Sequence, residues 1–437
     1  MLLLWCAMAV GGPVEDMLDS VSDGAQVIGF GESVHGMESF AQTRSEATRY
    51  LIEKHGFRVV AVESRYLLAW QTGKWLEGED EEWAKYDPVW ALYGLIYAWH
   101  DVSTAEFLVW AREFNDAHPD DPIRLVGFDI QEPNVIHHIR TQFSDAGLKL
   151  PSTPCVLRLN QPLEVYDDCH SWFDEAEARV GEHGATARME IENALYAGRK
   201  FATYLALRQK DPWWLARNLR DEAMADMLGR VTDLSEDGDR VVLWAHNGHL
   251  QESADSVHIR YGPLNLLRRP RNKVAGGYWK EHLGERYRAV ALEAGRIGGP
   301  HADLTEGRRT VQARLGPVDE VRAWDLRVED PFEGRVVETT AGWLVPEHVY
   351  TGWIYLPEAP AYFVATMVIM AESEEMIHKV DTWSHATEEE VLAPIRRAFG
   401  LRGVVESSPG RWVRDETVVL VTVESLGPFW RVTLGPE

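Results

Sequence analysis

The sequence predicts an α/β fold: a mostly parallel sheet flanked by helices, with a helical insertion and a small C-terminal α+β region. Three observations predict it. Five short β-branched runs are apolar throughout rather than alternating, the pattern of strands covered on both faces. Helical stretches separate them, as parallel connections require. Each run also ends in an acid or an imidazole, as expected where parallel strands deliver their carboxyl ends to one crevice.

The runs follow in order. Gln26 to Phe30 leads into Gly31-Glu32-Ser33-Val34-His35-Gly36. A helix over 37–54 comes next and is stopped by His55-Gly56. Arg58 to Val62 leads into Glu63-Ser64-Arg65, and residues 64–117 read as largely helical and rich in aromatics. Arg124 to Phe128 ends in Asp129. Helical patterns over 166–208 and 219–234 then fill the interval before Arg240 to Ala245, which ends in His246-Asn247-Gly248-His249. Arg288 to Leu292 ends in Glu293, and 294–310 reads as a loop. A composition shift near 371–375 marks a boundary. Beyond it Thr387-Glu388-Glu389-Glu390 is a capping box opening a helix that stops at Gly400, followed by short runs at 418–423 and 430–434. The expected division is a catalytic domain over 1–371, with its helical insertion at about 64–120 and 160–235, and an appendage over 372–437.

Composition narrows the function classes. The net charge of −25, from 44 basic and 69 acidic residues, opposes phosphate backbones and anionic membranes, so neither nucleic acid nor membrane is expected as a partner. A small-molecule substrate is. No stretch reaches the roughly 20 apolar residues of a membrane helix. Met1 to Val10 is apolar but lacks a positive leading region, and it reads as part of the first buried element. Cys6, Cys155 and Cys169 form no C-x-x-C pair and are odd in number, which suggests free thiols in a reducing, cytoplasmic setting.

The strand ends would gather Glu32, His35, Glu63, Asp129, His246, His249 and Glu293 in one pocket. Glu32 and His35 are three apart, so one turn can aim both into a cleft, with the carboxylate orienting an imidazole suited to general-base work. Ser33 is one residue away from a nucleophile-elbow pattern, but G-x-S-x-G occurs nowhere, so Ser33 reads as a turn residue. His246 and His249 share a face of a first helical turn, yet a zinc site needs a third ligand and no H-E-x-x-H is present. No metal and no cofactor is expected. Arg44 and Arg65 are cations available to such an acidic pocket. Of the 18 Trp, a group from Trp70 to Trp110 crowds the segment after Glu63, and Trp99-His100 is read as part of the substrate wall.

These residues together resemble the erythromycin esterase family, whose hallmark is a strand followed by G-E-x-x-H-G. The resemblance continues through Arg44, Val62-Glu63-Ser64-Arg65, Gly127-Phe128-Asp129, Arg220-Asp221-Glu222-Ala223-Met224-Ala225, Trp244 to His249 and Asp325-Leu326-Arg327. It covers roughly 1–371. Members of that family hydrolyse macrocyclic lactones, and others are linked to polysaccharide biosynthesis. The resemblance implies His35 as base on a water, without strict need for metal, with Glu32, Arg44, Glu63, His246 and His249 around it. The expected activity is hydrolysis of an ester or lactone in a bulky, largely apolar natural product, an antibiotic among the candidates. His246, His249 and Arg44 are expected to hold the carbonyl oxygen, and Arg65, Trp99, His100, Asp129 and Glu293 to meet substrate. Acyl transfer or cyclisation in natural-product biosynthesis, and a haem- or metal-binding module without turnover, are the alternatives.

Overall fold

The computed structural model describes residues 12–78, 88–152, 155–180, 185–210, 214–253 and 273–295. After these it describes 311, 315, 318, 320–333, 335, 337–339, 342–344, 346, 349–356, 378–383, 388–401, 404–414, 417–425 and 429–436. The apolar start at 1–10, Cys6, Trp83, Trp213, nearly all of the 294–310 loop, the boundary at 371–375 and Thr387 lie outside the described residues.

The five apolar runs are strands β1 (Val27–Glu32), β2 (Val59–Arg65), β3 (Arg124–Asp129), β4 (Val241–His246) and β5 (Tyr287–Ala294). They pair in parallel within a seven-stranded sheet of order β3-β2-β4-β1-β5-β9-β6. The two further strands, β6 (Arg322–Asp325) and β9 (Gly352–Leu356), extend the edge beyond the five read from sequence. Edge strand β6 is four residues long, antiparallel to β9 and partly exposed, so it carries no apolar run, whereas β9 is a buried five-residue run parallel to β5 that the sequence reading did not pick out. A two-stranded ribbon of β7 (Val337–Thr339) and β8 (Gly342–Leu344) lies between them in sequence.

Successive residues of a strand point to opposite faces, and the two sides of the sheet build separate cores. Ile28, Phe30, Val60, Val62, Val242, Trp244, Val290 and Leu292 pack on one side. There they meet α1 (Pro13–Ser22), α2 (Glu38–His55), α3 (Tyr66–Glu77) and α4 (Val102–Ala117). Val27, Val59, Ala61, Val241, Leu243, Ala245, Ala289 and Ala291 face the other side. That layer holds α5 (Val135–Asp145), α6 (Leu163–Ala178), α7 (Ala185–Arg208), α8 (Trp214–Val231) and α9 (Ala275–Leu283). Burial on both faces explains why the strands read as unbroken apolar runs. The aromatic crowd after β2 is mostly core: Trp75 and Trp99 are buried, while Trp70 and Trp110 are half-buried.

A second, antiparallel sheet of five strands follows, in the order β10-β14-β13-β12-β11. Its strands are β10 (His378–Trp383), β11 (Val405–Ser408), β12 (Arg411–Arg414), β13 (Thr417–Ser425) and β14 (Phe429–Pro436). Helix α10 (Glu388–Leu401) sends Ile395, Ala398 and Phe399 into the same apolar cluster as α2 and α4. The C-terminal region is therefore seated on the first face of the main sheet.

A disulfide joins Cys155 to Cys169, 14 residues apart, and ties the segment entering α6 to α6 itself. This corrects the expectation of free thiols. The spacing carries no motif, and only the turn into α6 brings the two Cα atoms to 4.8 Å. The ground for expecting a reducing compartment goes with it. Among the described residues no helix is long and apolar enough to cross a membrane.

Candidate active site

The carboxyl ends of β1, β2, β3 and β4 meet where β4 is inserted between β1 and β2, a reversal of strand order. Gly31 makes the convergence possible. A Cβ there would lie 2.0 Å from Asn247 Oδ1, so only glycine admits the turn after β4 this close to β1. Gly36 closes the first motif at φ 78°, a left-handed conformation that side chains resist.

His35 sits on this turn and is the most accessible group of the cluster, with 29% of its side chain exposed. Its Nδ1–H donates to Glu32 Oε1 at 2.6 Å. Among the described residues nothing engages Nε2, which is left as an acceptor. Burial alone would push the imidazole down, but the hydrogen bond and charge of Glu32, with Glu63 adding, hold it above its ordinary value. Glu32 is fixed in turn by Arg44, whose Nη1 donates to Glu32 Oε2 at 2.6 Å. Arg44 is fully buried, clamped between the rings of Trp99 and Trp244 at 4.5 and 4.6 Å, and it also reaches Thr104 Oγ1 at 3.2 Å.

A second cluster stands beside the first. Arg220, from α8, donates through Nε and Nη2 to both oxygens of Asp129, and through Nη2 to Glu63 Oε1 at 2.6 Å. Its Nη1 donates to His249 Nε2 at 3.1 Å. The other ring nitrogen of His249 donates to Asp221 Oδ1 at 2.6 Å. Glu63 also accepts from the backbone N–H of His246 and lies 3.4 Å from His249 Nε2. Burial would raise Glu63, but His249, Arg220 and His35 hold it well below the carboxylate range. The site thus has two histidine–carboxylate pairs, Glu32–His35 and Asp221–His249, with the Glu63–Arg220–Asp129 ion cluster between them.

Several assignments read from sequence change here. His246 was expected to hold a carbonyl oxygen, but both its nitrogens are occupied: Nε2–H donates to Ser33 O at 2.9 Å and Nδ1 accepts from Gly248 N–H at 3.0 Å. Burial and the neighbouring histidines push it down to about 3, so it is a neutral brace between β1 and β4. Arg44 was given the same task, but it lies behind Glu32 and has no exposed donor. Asp129, expected to meet substrate, is spent on Arg220. Trp99, expected in the substrate wall, is fully buried, edge-on to His35 at 5.7 Å, and donates Nε1–H to Glu63 O at 2.8 Å. A chain leaving a strand end must cover the core before it covers a cleft, and this ring does so.

Glu293 is buried beside Ser33 and Asn247, and burial pushes it up to about 8. It supports the site from the β5 side and presents no surface to a ligand. His100 donates from Nε2 to Leu95 O. Arg65 is half-buried at the rim, next to Glu132, whose carboxyl burial pushes up to about 7. Arg220 and Asp221 were not singled out from residue type, because adjacent charges on a helix read as a solvated face; only the family motif contained them. Asp325 and Arg327, also in that motif, bond each other and Ser20 at the opposite end of the sheet. A cavity of about 620 Å³ also lies at that end, lined by Asp19, His55, Arg240 and Arg286 among others, and shares no residue with the site. Among the described residues no group of three or more His, Cys, Asp or Glu is placed to hold a metal ion.

Comparison with known proteins adds an independent view. The family model for erythromycin esterase matches residues 52–149 and 153–320, more than half of the chain. These stretches carry Glu63, Asp129, Arg220, Asp221, His246, His249 and Glu293, while the Glu32–His35 motif precedes them. "Erythromycin esterase type I" from Escherichia coli is 34% identical over 61 residues, 14% of this chain, and the match spans only 15% of that relative's length. Three solved structures share the fold. A Bacillus cereus protein aligns with a TM-score of 0.62 at 16% identity, over 80% of this chain and 93% of its own. A succinoglycan biosynthesis protein gives 0.59 at 15%, over 80% and 92%. A mutant of the erythromycin esterase EreC in its open conformation gives 0.57 at 14%, over 79% and 93%.

Proposed function

The chain belongs to the erythromycin esterase family, and from that premise we propose that it hydrolyses a carboxylic ester or lactone of a small-molecule substrate with a water nucleophile. The observation that carries the proposal is the geometry of His35. Its Nδ1–H is committed to Glu32, so Nε2 is the acceptor, unengaged among the described residues on a ring that is 29% exposed.

In this reading Nε2 of His35 takes a proton from water as the water oxygen bonds to the acyl carbon. Glu32 balances the imidazolium that forms, and Arg44 holds Glu32 in place. The acyl C–O bond then breaks, and the His35 proton passes to the leaving oxygen. Charge on the former carbonyl oxygen is met by Arg220, the cation of the second cluster. Arg220 is 15% exposed, enough for contact at one edge. Glu63 and Asp129 hold it in register, and His249, fixed by Asp221, braces its Nη1.

The family supports an ester-bearing substrate. A bulky, largely apolar one is supported by the aromatic segment between β2 and α4, where Tyr93 is exposed against His100. Macrolide lactones are the first compounds to test.

The deciding experiment is incubation with a panel of macrocyclic lactones and aryl esters, read by mass spectrometry for gain of one water. Hydrolysis should fall by roughly 10²–10⁴-fold in His35→Ala. In the wild type, kcat/KM should rise with pH along a limb placed above the ordinary imidazole value, because His35 must be neutral to act and its proton is held more tightly than usual. A His35→Ala protein with near-native kcat ends the proposal.

A further inference from the structure

We propose that Arg397, on the C-terminal helix α10, is a positioning residue for His35, acting through the starts of helices α2 and α4. The inference rests on the reading of His35 as the base, and it brings into the site a region outside the stretches that match the family.

Arg397 is 359 residues from Glu38, yet its Nη2 donates to Glu38 Oε1 at 2.7 Å. It also donates to Ser103 Oγ at 3.0 Å and to both oxygens of Glu106 at 2.9 Å. Ser103 Oγ in turn donates to Glu38 Oε1 at 2.7 Å. Glu38 is the first residue of α2, and Ser103 lies in the first turn of α4. One guanidinium therefore pins two helix N-termini together.

From those two starts the path to the histidine is short and dry. Helix α2 carries Arg44, and α4 is capped by Asp101, which accepts from Thr104 N–H at 2.6 Å. Arg44 reaches Thr104, lies 3.7 Å from Asp101, and holds Glu32, which holds His35. Arg44, Asp101 and Glu32 are each at most 3% exposed, so a shift of α2 against α4 cannot be taken up by water. It must appear at Glu32.

The charges around the joint set the direction. Glu38 and Glu106 face Arg397, and Glu38 also faces Asp101, where Arg44 is the counter-charge. Glu46 and Arg49 complete the α2 side, with Arg49 shared among Glu46, Glu53, Glu106 and Glu113. Removing Arg397 leaves Glu38 and Glu106 in mutual repulsion across the junction. The α2 and α4 starts then separate, and the Glu32–His35 hydrogen bond loosens. His35 is faced by Glu32, Glu63, Arg220 and His246, and the hydrogen bond it donates to Glu32 is the largest influence keeping its proton.

The test compares Arg397→Met and Arg397→Lys in the full chain, with Arg396→Met as control. Arg396 is the neighbour that lies 3.6 Å from Glu406 of β11. The His35 imidazole is titrated by NMR, and kcat and KM are measured on an ester that the wild type cleaves. In Arg397→Met the His35 pKa should fall by about half a unit or more as the Glu32 bond weakens. The kcat should fall by up to about 10²-fold with KM little changed, the signature of a misplaced base. Arg397→Lys, which keeps the charge but not the fork, should fall between the two, and Arg396→Met should match the wild type. A folded Arg397→Met with the wild-type His35 titration and kcat overturns the proposal. So does Arg397→Lys with a wild-type titration if the Met variant fails to fold. The titration needs no turnover, so an inactive wild type refutes the hydrolase reading while leaving this one measurable.

Discussion

Glu293→Gln should flatten the pH dependence of stability, because Glu293 is a buried acid with no cation against it among the described residues. The carboxyl is 4% exposed, and burial raises it from an ordinary value of 4.5 to about 8. Between those limits the folded chain keeps a proton that the unfolded chain has released. Stability contributed by this group is thus full below about pH 4.5 and is lost as pH rises toward about 8. A shift of this size, at 1.36 kcal/mol per unit, sets a ceiling of roughly 4–5 kcal/mol on the loss. Glutamine keeps the size and the hydrogen-bonding groups but does not titrate. The difference between wild type and variant should therefore be smallest at pH 5, where the loss is under about 1 kcal/mol, and grow steadily in the variant's favour to pH 8. Urea unfolding at pH 5, 6, 7 and 8 reads this directly, and subtracting the two curves removes Asp101 and Glu132, which burial also raises, to about 7 each. Parallel curves across that range would show that Glu293 is ionised in the fold and would refute the reasoning.

Two further outcomes follow from the geometry. Trp99→Phe should lower kcat more than it changes KM, the reverse of what a substrate-gripping ring would do, because Trp99 lies under His35 and braces the Glu63 backbone; a change confined to KM would restore it to the substrate wall. Ser33→Ala should keep more than about a tenth of wild-type kcat, since water rather than Ser33 attacks; a covalent acyl group trapped on Ser33 would establish the opposite.

The strands of the central sheet were legible because burial on both faces writes an uninterrupted apolar run, and all five such runs became strands. Strand β6 was not, being short and at the edge, and the five-residue run of β9 beside it was passed over. The site was legible in part for a related reason: parallel strands announce their functional ends by polarity. Sequence placed Glu32, His35, Glu63 and His249 together. It could not tell that His246 spends both nitrogens on the backbone, since a buried histidine and a catalytic one have the same letter. Nor could it tell that Arg44 stands behind Glu32 rather than before it, which depends on the two Trp rings that clamp it. Arg220 was hidden by its setting on a helix with charged neighbours. The Cys155–Cys169 bond was hidden because a turn, not a spacing rule, brings its ends together.

Because β4 lies between β1 and β2, the ribosome releases the two flanking strands well before the one that joins them. A nascent chain that has delivered only residues up to β3 holds β1 and β2 without their common partner, and Glu63 without Arg220, His246 or His249. Closing β1 and β2 on each other at that stage would shut the slot that β4 must later enter. Vectorial synthesis therefore favours a sequence whose early segment stays loosely paired for some 180 residues (the β2-to-β4 interval), and long-range pairing of this kind is slow. The same order makes the chain a candidate for fragment complementation. A piece ending before β4 and a piece beginning at α8 should each lack a complete site, and mixing them should restore it only if the slot is still open.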